Sequence, residues 1–445
     1  MNNSPAPSKA SGPEYAGPFG LFPVPYSQGI FNFHWFNFYN AICFQIILGA
    51  PIVLLAKDLG ASSVMLGVIA SFTPLMTVLQ LPAARYLGNY SYRSFALSGW
   101  ALRSFFIALV AMIPLLGFLS RETRLGLLLA SLFCFNVLRG IATTAFLPWI
   151  TTLVPGAIRG RFISVDHLFI NAGSLITMLI SALLMRGSVE PSRYSLVIWV
   201  SVLGAIISLL YMKEIPDAKK EREEQGLSAA KISLAEMARL EPFRNWLLFN
   251  LFFTLVVGGL GVFPVEYLKM QAHFSPATIY LLSMGTFAGP VLLLQSVGRR
   301  VDRSGSKLIM RGSVLLFSVI LFLWFFMSAG LLSHDWKLVL LLNLLGGAAV
   351  ASFNMSNGHH WMAVIPEEGK NHYFAVATVA LSLGVGLVPI LWGSVLDALG
   401  GFDVLIGPFH LHRHSIYFLS IALLALASFF VSRILIEPVR SCSKS

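Results

Sequence analysis

Charged residues are scarce in this chain. Only 11% of its 445 residues are Asp, Glu, Lys or Arg, whereas roughly a quarter are charged in an average soluble domain. Hydrophobic residues make up 56% of the chain, and its mean hydropathy is +0.75. This balance excludes an ordinary soluble globular protein and indicates an integral membrane protein.

Cysteines and cofactor-binding motifs are also lacking. The three cysteines, Cys43, Cys134 and Cys442, have no paired spacing, so neither a disulfide framework nor a metal site is predicted. The glycine cluster Gly258–Gly261 lies inside an apolar run and not in a phosphate-binding loop. We therefore expect no cofactor and no ATP drive. Because His, Cys and carboxylate residues do not cluster at membrane depth, we also expect no enzymatic activity.

The N-terminal segment, residues 1–29, lacks the features of a leader. It is rich in Pro, Ser, Gly and Asn and carries only Lys9 and Glu14 as charged residues. It therefore has neither the charged start nor the short apolar stretch of a cleaved signal peptide. We expect a disordered tail.

The net charge is +11, but the chain has no run of basic residues outside its polar central segment. Arginines in loops near lipid headgroups explain this excess better than nucleic-acid binding does. We expect membrane lipid, and no nucleic acid, among the partners.

Long apolar runs dominate the rest of the sequence. Each is long enough to cross a bilayer as a helix, which takes about 20 residues. The runs cover residues 31–56, 63–87, 95–119, 125–151, 163–185, 194–212, 245–268, 276–297, 308–332, 338–362, 373–396 and 414–436. We predict an all-α membrane protein with about 12 transmembrane helices.

The polar segment 213–244 separates six runs from six. We expect an N-terminal bundle over residues 30–212, a C-terminal bundle over residues 245–436 and a short tail over residues 437–445. An even number of spans places both termini and this linker on one side. Lys and Arg number seventeen on that side and eight on the other, which predicts that it is cytoplasmic. We expect the cytoplasmic (inner) membrane of a bacterium.

The two groups of runs match each other in register. Residues 49–57 match residues 261–269 at an offset of 212, and residues 155–162 match residues 366–373 at an offset of 211. This predicts parallel duplication of a six-helix unit. Such repeats place a substrate site between the halves, near the bilayer midplane.

The loop between the eighth and ninth runs contains a motif. It reads Gly298-Arg-Arg-Val-Asp302-Arg303-Ser-Gly305-Ser-Lys307. This resembles the G-x-x-x-D-R-x-G-x-K signature of the major facilitator superfamily, in its second-half copy. In the first half, at an offset of 214, Gly88 and Ser91 stand at the acidic and glycine positions. The resemblance covers the chain beyond its tail and implies a fold of two six-helix halves that rock to give alternating access.

The same motif has a physical use as a gate. Gly305 frees the backbone, and Asp302 at a helix end can bind basic residues or amides of the other half in one conformation only. The alternative is that these are ordinary loop charges. The candidate gating residues on the linker side are Gly298, Asp302, Arg303, Gly305, Lys307, Arg93, Arg159, Arg161 and Asp166.

Arg139 is a charged residue at membrane depth in the fourth run. Its helical spacing from Asn136 and Thr143 places all three on one face. Buried charge in a membrane is costly and suggests function. We predict that Arg139 binds an anionic substrate group or holds a proton-relay carboxylate; the alternative is an arginine that snorkels or caps carbonyl groups.

The first and tenth runs carry stripes of amides beside aromatic residues. Amides donate and accept hydrogen bonds, so they suit hydroxyl-rich or aromatic ligands, although amides also hold helices together. The candidate cavity-lining residues are Asn37, Asn40, Gln45, Asn343, Asn354 and Asn357.

Other titratable residues lie near the predicted cytoplasmic ends. Asp166, His167, His359 and His360 suit gate or headgroup contacts, and proton coupling is the alternative. Arg103 in the third run could pair with Asp166. No carboxylate lies at the expected midplane of the first, fourth, seventh or tenth run, so a conventional carboxylate proton carrier is not visible.

Taken together, these features predict a monomeric secondary active transporter of a small organic solute, coupled to H⁺ or Na⁺ or driven by the solute's own gradient. An exporter of hydrophobic compounds is an alternative within this class. A non-transporting receptor or scaffold on the same fold is an alternative outside it.

Overall fold

The computed structural model describes residues 24–187, 190–217, 234–366 and 370–436. The predicted N-terminal tail up to residue 23, linker residues 218–233 and the tail 437–445 lie outside the described residues. The side chains of residues 293–304 also lie outside this description.

Helices form most of the N-terminal half, because a membrane offers backbone groups no water and a helix satisfies them internally. They are α1 (Gln28–Ile47), α2 (Ala50–Asp58), α3 (Ser63–Thr77), α4 (Gln80–Ala84), α5 (Tyr92–Met112), α6 (Arg121–Thr143), α7 (Phe146–Leu153), α8 (Gly156–Leu184) and α9 (Pro191–Lys213). Short 3₁₀ turns cover Leu87–Asn89 and Ile113–Leu115.

The C-terminal half is also helical. Its helices are α10 (Leu234–Arg239), α11 (Glu241–Val257), α12 (Phe263–Met270), α13 (Pro276–Ser304), α14 (Ser306–Ser328), α15 (Trp336–Val364), α16 (Lys370–Ala398) and α17 (Arg413–Val431), followed by a 3₁₀ turn at Ser432–Ile434. The prediction of an all-α membrane protein is confirmed.

Within the described ranges, ten helical stretches are long and apolar enough to cross a membrane. The other two predicted runs are 245–268, which is broken between α11 and α12, and 276–297, which lies in α13 with a shorter apolar part. Large apolar side chains such as Phe105 and Leu203 are more than half exposed on spanning helices. Such an apolar exterior suits lipid contact.

The first spanning helix of each half breaks near its end. In the N-terminal half, α1 ends before Gly49, where a side chain would meet the Gln45 carbonyl oxygen at 2.2 Å. In the C-terminal half, α11 ends before Gly259, whose φ of +92° favours glycine. Proline follows in the first turn of both α2 and α12, where its missing N–H costs nothing. The predicted internal repeat therefore extends to this break.

The start of α1 lies beside the end of α9, since a side chain at Gly29 would lie 3.0 Å from Pro216. We call this the linker end of the molecule and the opposite end the distal end. The two halves pack mainly through α3 against α16 and α8 against α13.

Glycines allow close approach between α3 and α16. A side chain at Gly67 would lie 2.3 Å from the Pro389 carbonyl oxygen, and one at Gly393 would lie 2.4 Å from the Ser63 carbonyl oxygen. Both contacts are to backbone, which cannot move aside as a flexible side chain does. The backbones of the two halves therefore meet directly along this pair of helices.

A β-hairpin that was not predicted connects α16 and α17. Strands β1 (Asp403–Ile406) and β2 (Phe409–His412) pair antiparallel, with Asp403 opposite His412. Gly407 at the turn has a φ of +57°. The His410 backbone N–H donates to the Ala329 carbonyl oxygen at 2.9 Å, which fixes the hairpin to the distal end of the bundle.

Replacement of Gly67 by alanine tests the close approach of α3 and α16. The added methyl group has no room beside the Pro389 backbone, and overpacking of this kind costs about 1–3 kcal/mol. We expect a lower thermal unfolding temperature in detergent micelles, measured by circular dichroism. Gly312→Ala is the control, since nothing lies within 4 Å of its added carbon. Equal stability of the two variants would contradict the close approach.

Candidate functional site

Arg103 on α5 is completely buried within the N-terminal half. Its Nη2 donates to the Asn40 Oδ1 on α1, and the same oxygen accepts from the Trp100 indole N–H at 3.3 Å. The guanidinium carbon lies 4.3 Å from the Trp100 ring centre and 4.8 Å from that of Phe44. Its Nε and Nη1 have no hydrogen-bond partner among the described residues. Aromatic faces thus replace carboxylates as its main neighbours.

Arg139 on α6 contacts the same aromatic ring. Its guanidinium carbon lies 5.4 Å from the centre of the Phe44 ring, and the side chain is half-buried. In the described part of the chain, no carboxylate pairs with either Arg103 or Arg139. We call Arg103 and Arg139 the arginine pair. Two cations that lack a counter-ion in a membrane protein can bind an anionic group.

The predicted amides of the N-terminal half have separate surroundings. Asn40 contacts Arg103, and Asn37 donates to both carboxylate oxygens of Asp166 at 2.9 and 3.0 Å. Asn136 is buried and accepts from the Thr73 hydroxyl at 2.8 Å, which joins α6 to α3. Gln45 is half-buried. Their predicted role in substrate binding stays a prediction.

In the C-terminal half, Asn357 exchanges amide hydrogen bonds with Asn250 at 2.7 and 3.2 Å and accepts from the Trp246 indole at 2.8 Å. Asn343 donates to the Leu282 carbonyl oxygen at 3.0 Å, so it joins α15 to α13. Asn354 is exposed. Two of these three amides thus make contacts between helices, as the alternative interpretation of the stripe expects.

Asp166 on α8 lies beside α1. Its Oδ1 lies 3.1 Å from the His34 Nδ1, and its partners are therefore His34 and Asn37. The suggested pairing of Asp166 with Arg103 is not found in the described contacts: Arg103 instead contacts Asn40, three residues beyond Asn37 on α1.

The predicted gate motif lies at the junction of α13 and α14. Gly298, Asp302 and Arg303 belong to α13, and their side chains lie outside the described part of the structure. Gly305 joins the two helices with a φ of +88°, a conformation that favours glycine.

Arg93 and Lys307 occupy equivalent positions of the two halves and make equivalent contacts. Arg93 donates to the carbonyl oxygens of Lys213 and Ile215 at 3.2 and 3.4 Å. Lys307 donates to those of Arg433, at 3.2 Å, and Leu435. A cation at the carboxyl end of a helix satisfies free carbonyl groups and the helix dipole. Each residue thus ties the start of its third spanning helix to the end of the sixth.

The remaining predicted gating residues lie near the same end. Arg159 donates to the carbonyl oxygens of Thr151 and Val154 at 3.2 Å each, which holds the start of α8 against the end of α7. Arg161 lies five residues before Asp166 on α8. Their gating role stays a prediction.

The distal end carries polar contacts between the halves that the sequence did not reveal. Lys57 lies 3.0 Å from the Glu266 Oε1, and Lys269 forms an ion pair with Asp58. Lys269 also donates to the Leu54 carbonyl oxygen at 3.1 Å. In the repeat, residue 54 corresponds to residue 266, and residue 57 to residue 269. Lys57 contacts Glu266 and Lys269 contacts Leu54, so the two lysines make equivalent contacts with the opposite halves. We call these contacts the lysine exchange.

Glu266 is the centre of this region and is fully buried. Its Oε1 accepts from Lys57, from the Ser63 hydroxyl at 2.9 Å and from Arg413 at 3.3 Å. Nearby, the Asp397 carboxylate accepts from the backbone N–H groups of Ser63 and Val64 at 2.9 Å each. That carboxylate caps α3 from the other half. Glu266 and Asp397 therefore hold the halves together at the distal end.

The sequence alone does not reveal this region, because Lys57, Lys269 and Arg413 lie at the ends of apolar runs, where Lys and Arg ordinarily face the aqueous loops. The repeat contained a usable signal: Glu266 and Lys269 lie within the stretch that matches residues 49–57. A lysine at the same register of both halves marks a position that the duplication retains, although sequence alone does not give its partner.

Cavities lie towards the linker end. One, of about 180 Å³, lies between α3–α4 and α16 and is lined by Thr77, Gln80, Phe374, Thr378 and Ser382, among others. A second cavity, of about 400 Å³, lies between the start of α1 and the end of α9. Its lining includes the polar side chains of Asn32 and Glu214.

His412 caps the last spanning helix at the distal end. Its Nδ1 accepts from the His414 backbone N–H at 3.2 Å, and its ring stacks on that of Tyr267. Burial, His414 and His410 lower the pKa of His412 to about 4. The neutral ring is therefore the form that caps α17.

Comparisons with known proteins identify the family to which this sequence is similar. A family model described as Major Facilitator Superfamily matches residues 34–265 and 259–442. The two matched segments agree with the predicted duplication. No curated protein matches the chain.

Solved transporter structures share the fold. A D-xylose-proton symporter is 16% identical, with a TM-score of 0.72 over 93% of this chain and 99% of that chain. A mutant of the nucleoside transporter NupG is 13% identical, with a TM-score of 0.69 over 92% and 100%. The inward-open xylose transporter XylE from E. coli is 15% identical, with a TM-score of 0.69 over 93% and 98%. At these identities the likeness concerns the fold alone.

Replacement of Glu266 by glutamine tests the distal contacts. The variant leaves Lys57 and Arg413 without a counter-charge, and breaking a buried pair costs roughly 3–5 kcal/mol. We expect the distal ends to separate, which lengthens the distance between spin labels at positions 121 and 333 in electron-resonance measurements. Glu241→Gln, at an exposed linker-end carboxylate, is the control. Unchanged label distances in Glu266→Gln would show that the pair does not hold the distal end closed.

Acidification tests the cap on α17. Because the pKa of His412 is lowered to about 4, the unfolded chain, with a His pKa near 6.5, binds more protons between these values. Stability is then complete above about pH 6.5 and falls as the pH drops towards 4. We expect the thermal unfolding temperature to fall between pH 7 and 5, and to fall less in His412→Asn, since asparagine also caps helices. His167→Asn, at an exposed residue, should behave as wild type; an equal loss in all three would refute this assignment.

Proposed function

The chain belongs to the Major Facilitator Superfamily, and we propose that it is a secondary active transporter that moves a small organic solute by alternating access of its two halves. The solute that its geometry suits best carries an anionic group. We further propose coupling to H⁺ or Na⁺.

The arginine pair carries this proposal. Burying a cation away from water is expensive unless an anion or a set of acceptors compensates it. Aromatic faces and one amide oxygen offset only part of that cost for Arg103, and Arg139 is half-buried beside the shared Phe44 ring. A carboxylate or phosphate group of a solute would complete the coordination through charge-assisted hydrogen bonds.

The distal contacts and the cavities support alternating access. Lys57, Glu266, Lys269 and Asp58 join the halves at the distal end, and the cavity between α4 and α16 lies towards the linker end. This arrangement suits a state that is closed distally and accessible from the linker end. If the linker is cytoplasmic, as the charge count predicts, that state faces inward.

We propose further that the protein works as a monomer in the cytoplasmic (inner) membrane of a bacterium, with both termini in the cytoplasm. The apolar side chains exposed on the spanning helices suit direct contact with lipid. The excess of Lys and Arg on the linker side supports this orientation.

Two rival functions make different demands. Export of hydrophobic compounds does not need two cations without a counter-ion in the bundle. A receptor or scaffold is suggested by the altered first-half motif, in which Gly88 replaces the acidic residue. However, Arg93 in that copy makes the same helix-end contact as Lys307, so the framework of the motif is retained.

Flux measurements in proteoliposomes test the proposal. We would supply a panel of labelled organic acids, sugars, amino acids and lipophilic cations, with and without a pH gradient. Loss of one charge-assisted hydrogen bond costs about 1.5–3 kcal/mol, so we expect Arg139→Ala to weaken transport of an anionic solute by about tenfold to a hundredfold.

Arg139→Lys is the matched variant, because it keeps the charge and loses the forked geometry; we expect intermediate flux. Transport of lipophilic cations alone would favour the exporter function. Absence of flux for every solute, with folded protein in the vesicles, would favour a receptor or scaffold.

A further inference from the structure

A chain of hydrogen bonds joins the start of α1 to α8. His34 is completely buried and lies between two partners: its Nε2 is 2.7 Å from the Tyr26 hydroxyl, and its Nδ1 is 3.1 Å from the Asp166 Oδ1. The Asn37 amide donates to both oxygens of Asp166. We call these four residues the His–Asp network.

Aromatic rings enclose the imidazole of this network. The ring centres of Phe162, Phe31 and Phe169 lie 4.6, 5.1 and 5.6 Å from that of His34. The Asp166 side chain, in contrast, is 17% exposed. The carboxylate is therefore the accessible part of the network, while the imidazole behind it is sealed.

The network accepts a proton without moving its heavy atoms. When His34 is neutral, its Nδ1–H donates to Asp166 and its Nε2 accepts from the Tyr26 hydroxyl. When His34 is charged, both nitrogens donate, and the Tyr26 oxygen accepts. Burial and Asp166 raise the pKa of Tyr26, and Arg161 lowers it, so the hydroxyl keeps its own proton in either form.

Among the residues that the structure describes, few charged groups face this site from the helices packed around it. Asp166 and Arg161 face it from α8, and Tyr26 faces it from the segment before α1.

The position of the network suits coupling. It joins α1 to α8, and α8 also packs against α13 of the other half. The helix α1 continues through Asn40 and Phe44 at the arginine pair. A proton at Asp166 would therefore act on a helix that contacts both the proposed substrate site and the other half.

We propose that the His–Asp network is the proton-binding site that couples transport to a pH gradient. The proton enters from water at the linker end and binds the Asp166–His34 pair; it leaves by the same carboxylate. This inference rests on the proposed transport function, and it selects H⁺ over Na⁺. The alternative is that the His–Asp network has only a structural role and holds α1 against α8.

A proton count tests the site without any solute. Purified protein in detergent is titrated potentiometrically between pH 8 and 5, and we expect Asp166→Asn to bind about one proton fewer per chain than wild type. Asp335→Asn is the matched control, because it makes the same chemical change at the exposed N-cap of α15, where asparagine also caps. Equal proton counts in Asp166→Asn and wild type would overturn the inference.

Flux measurements separate this inference from the proposed function. With any solute that wild type transports, the ratio of pH-driven accumulation to downhill exchange should fall by about tenfold or more in Asp166→Asn, and Asp166→Glu should restore part of that ratio. Two results would refute the proton site and leave the proposed transport function intact. One is that wild type exchanges solute but does not accumulate it in response to a pH gradient, and the other is that Asp166→Asn accumulates solute as wild type does. If wild type moves no solute, the proposed function fails, and the proton count alone decides whether the site binds H⁺.

Discussion

The distal end of the molecule depends on two lysines that each reach into the other half. Lys57 and Lys269 correspond in the repeat, and so do the positions that they contact, Glu266 and Leu54. Duplication thus makes the contact self-complementary, as a two-fold interface between subunits would be. Glu266 can be fully buried because three donors share one of its oxygens. Any motion that separates the halves distally must break these bonds together.

The arginine pair differs from the lysine exchange in one physical respect. At the distal end Glu266 faces Lys57 and Arg413, and Lys269 faces Asp58, so each of these charges has an opposite charge beside it. Arg103 and Arg139 have aromatic rings and an amide instead, and such partners only partly replace water. This contrast is why we assign closure to the first region and substrate binding to the second.

The sequence predicts those features of the fold that depend on residues close together in the chain. Apolar runs and the repeat register gave the spanning helices, because lipid demands long apolar helices wherever the chain crosses it. They did not predict the partners of Lys57 or Glu266, since these lie in different halves. Asn136 and Asn343 show the same limit, because helical spacing identifies a polar face without identifying the neighbour that it packs on. The side chain of Asp302 lies outside the described residues.

The first spanning segment, α1 with α2, carries all three polar regions in order. Along α1 and α2, His34 meets Asp166, Asn40 meets Arg103, and Lys57 meets Glu266. Asp166 contacts α1 at His34 and Asn37, and Asn37 lies three residues, or about 4.5 Å of helix, before Asn40. Two charges about 10 Å apart interact by on the order of 2 kcal/mol at an effective dielectric constant near 20. A proton bound at Asp166 removes a negative charge close to the arginine pair, so it would strengthen anion binding by roughly tenfold or more. Since the effect is reciprocal, a bound anion would favour proton uptake, and the two would travel in the same direction.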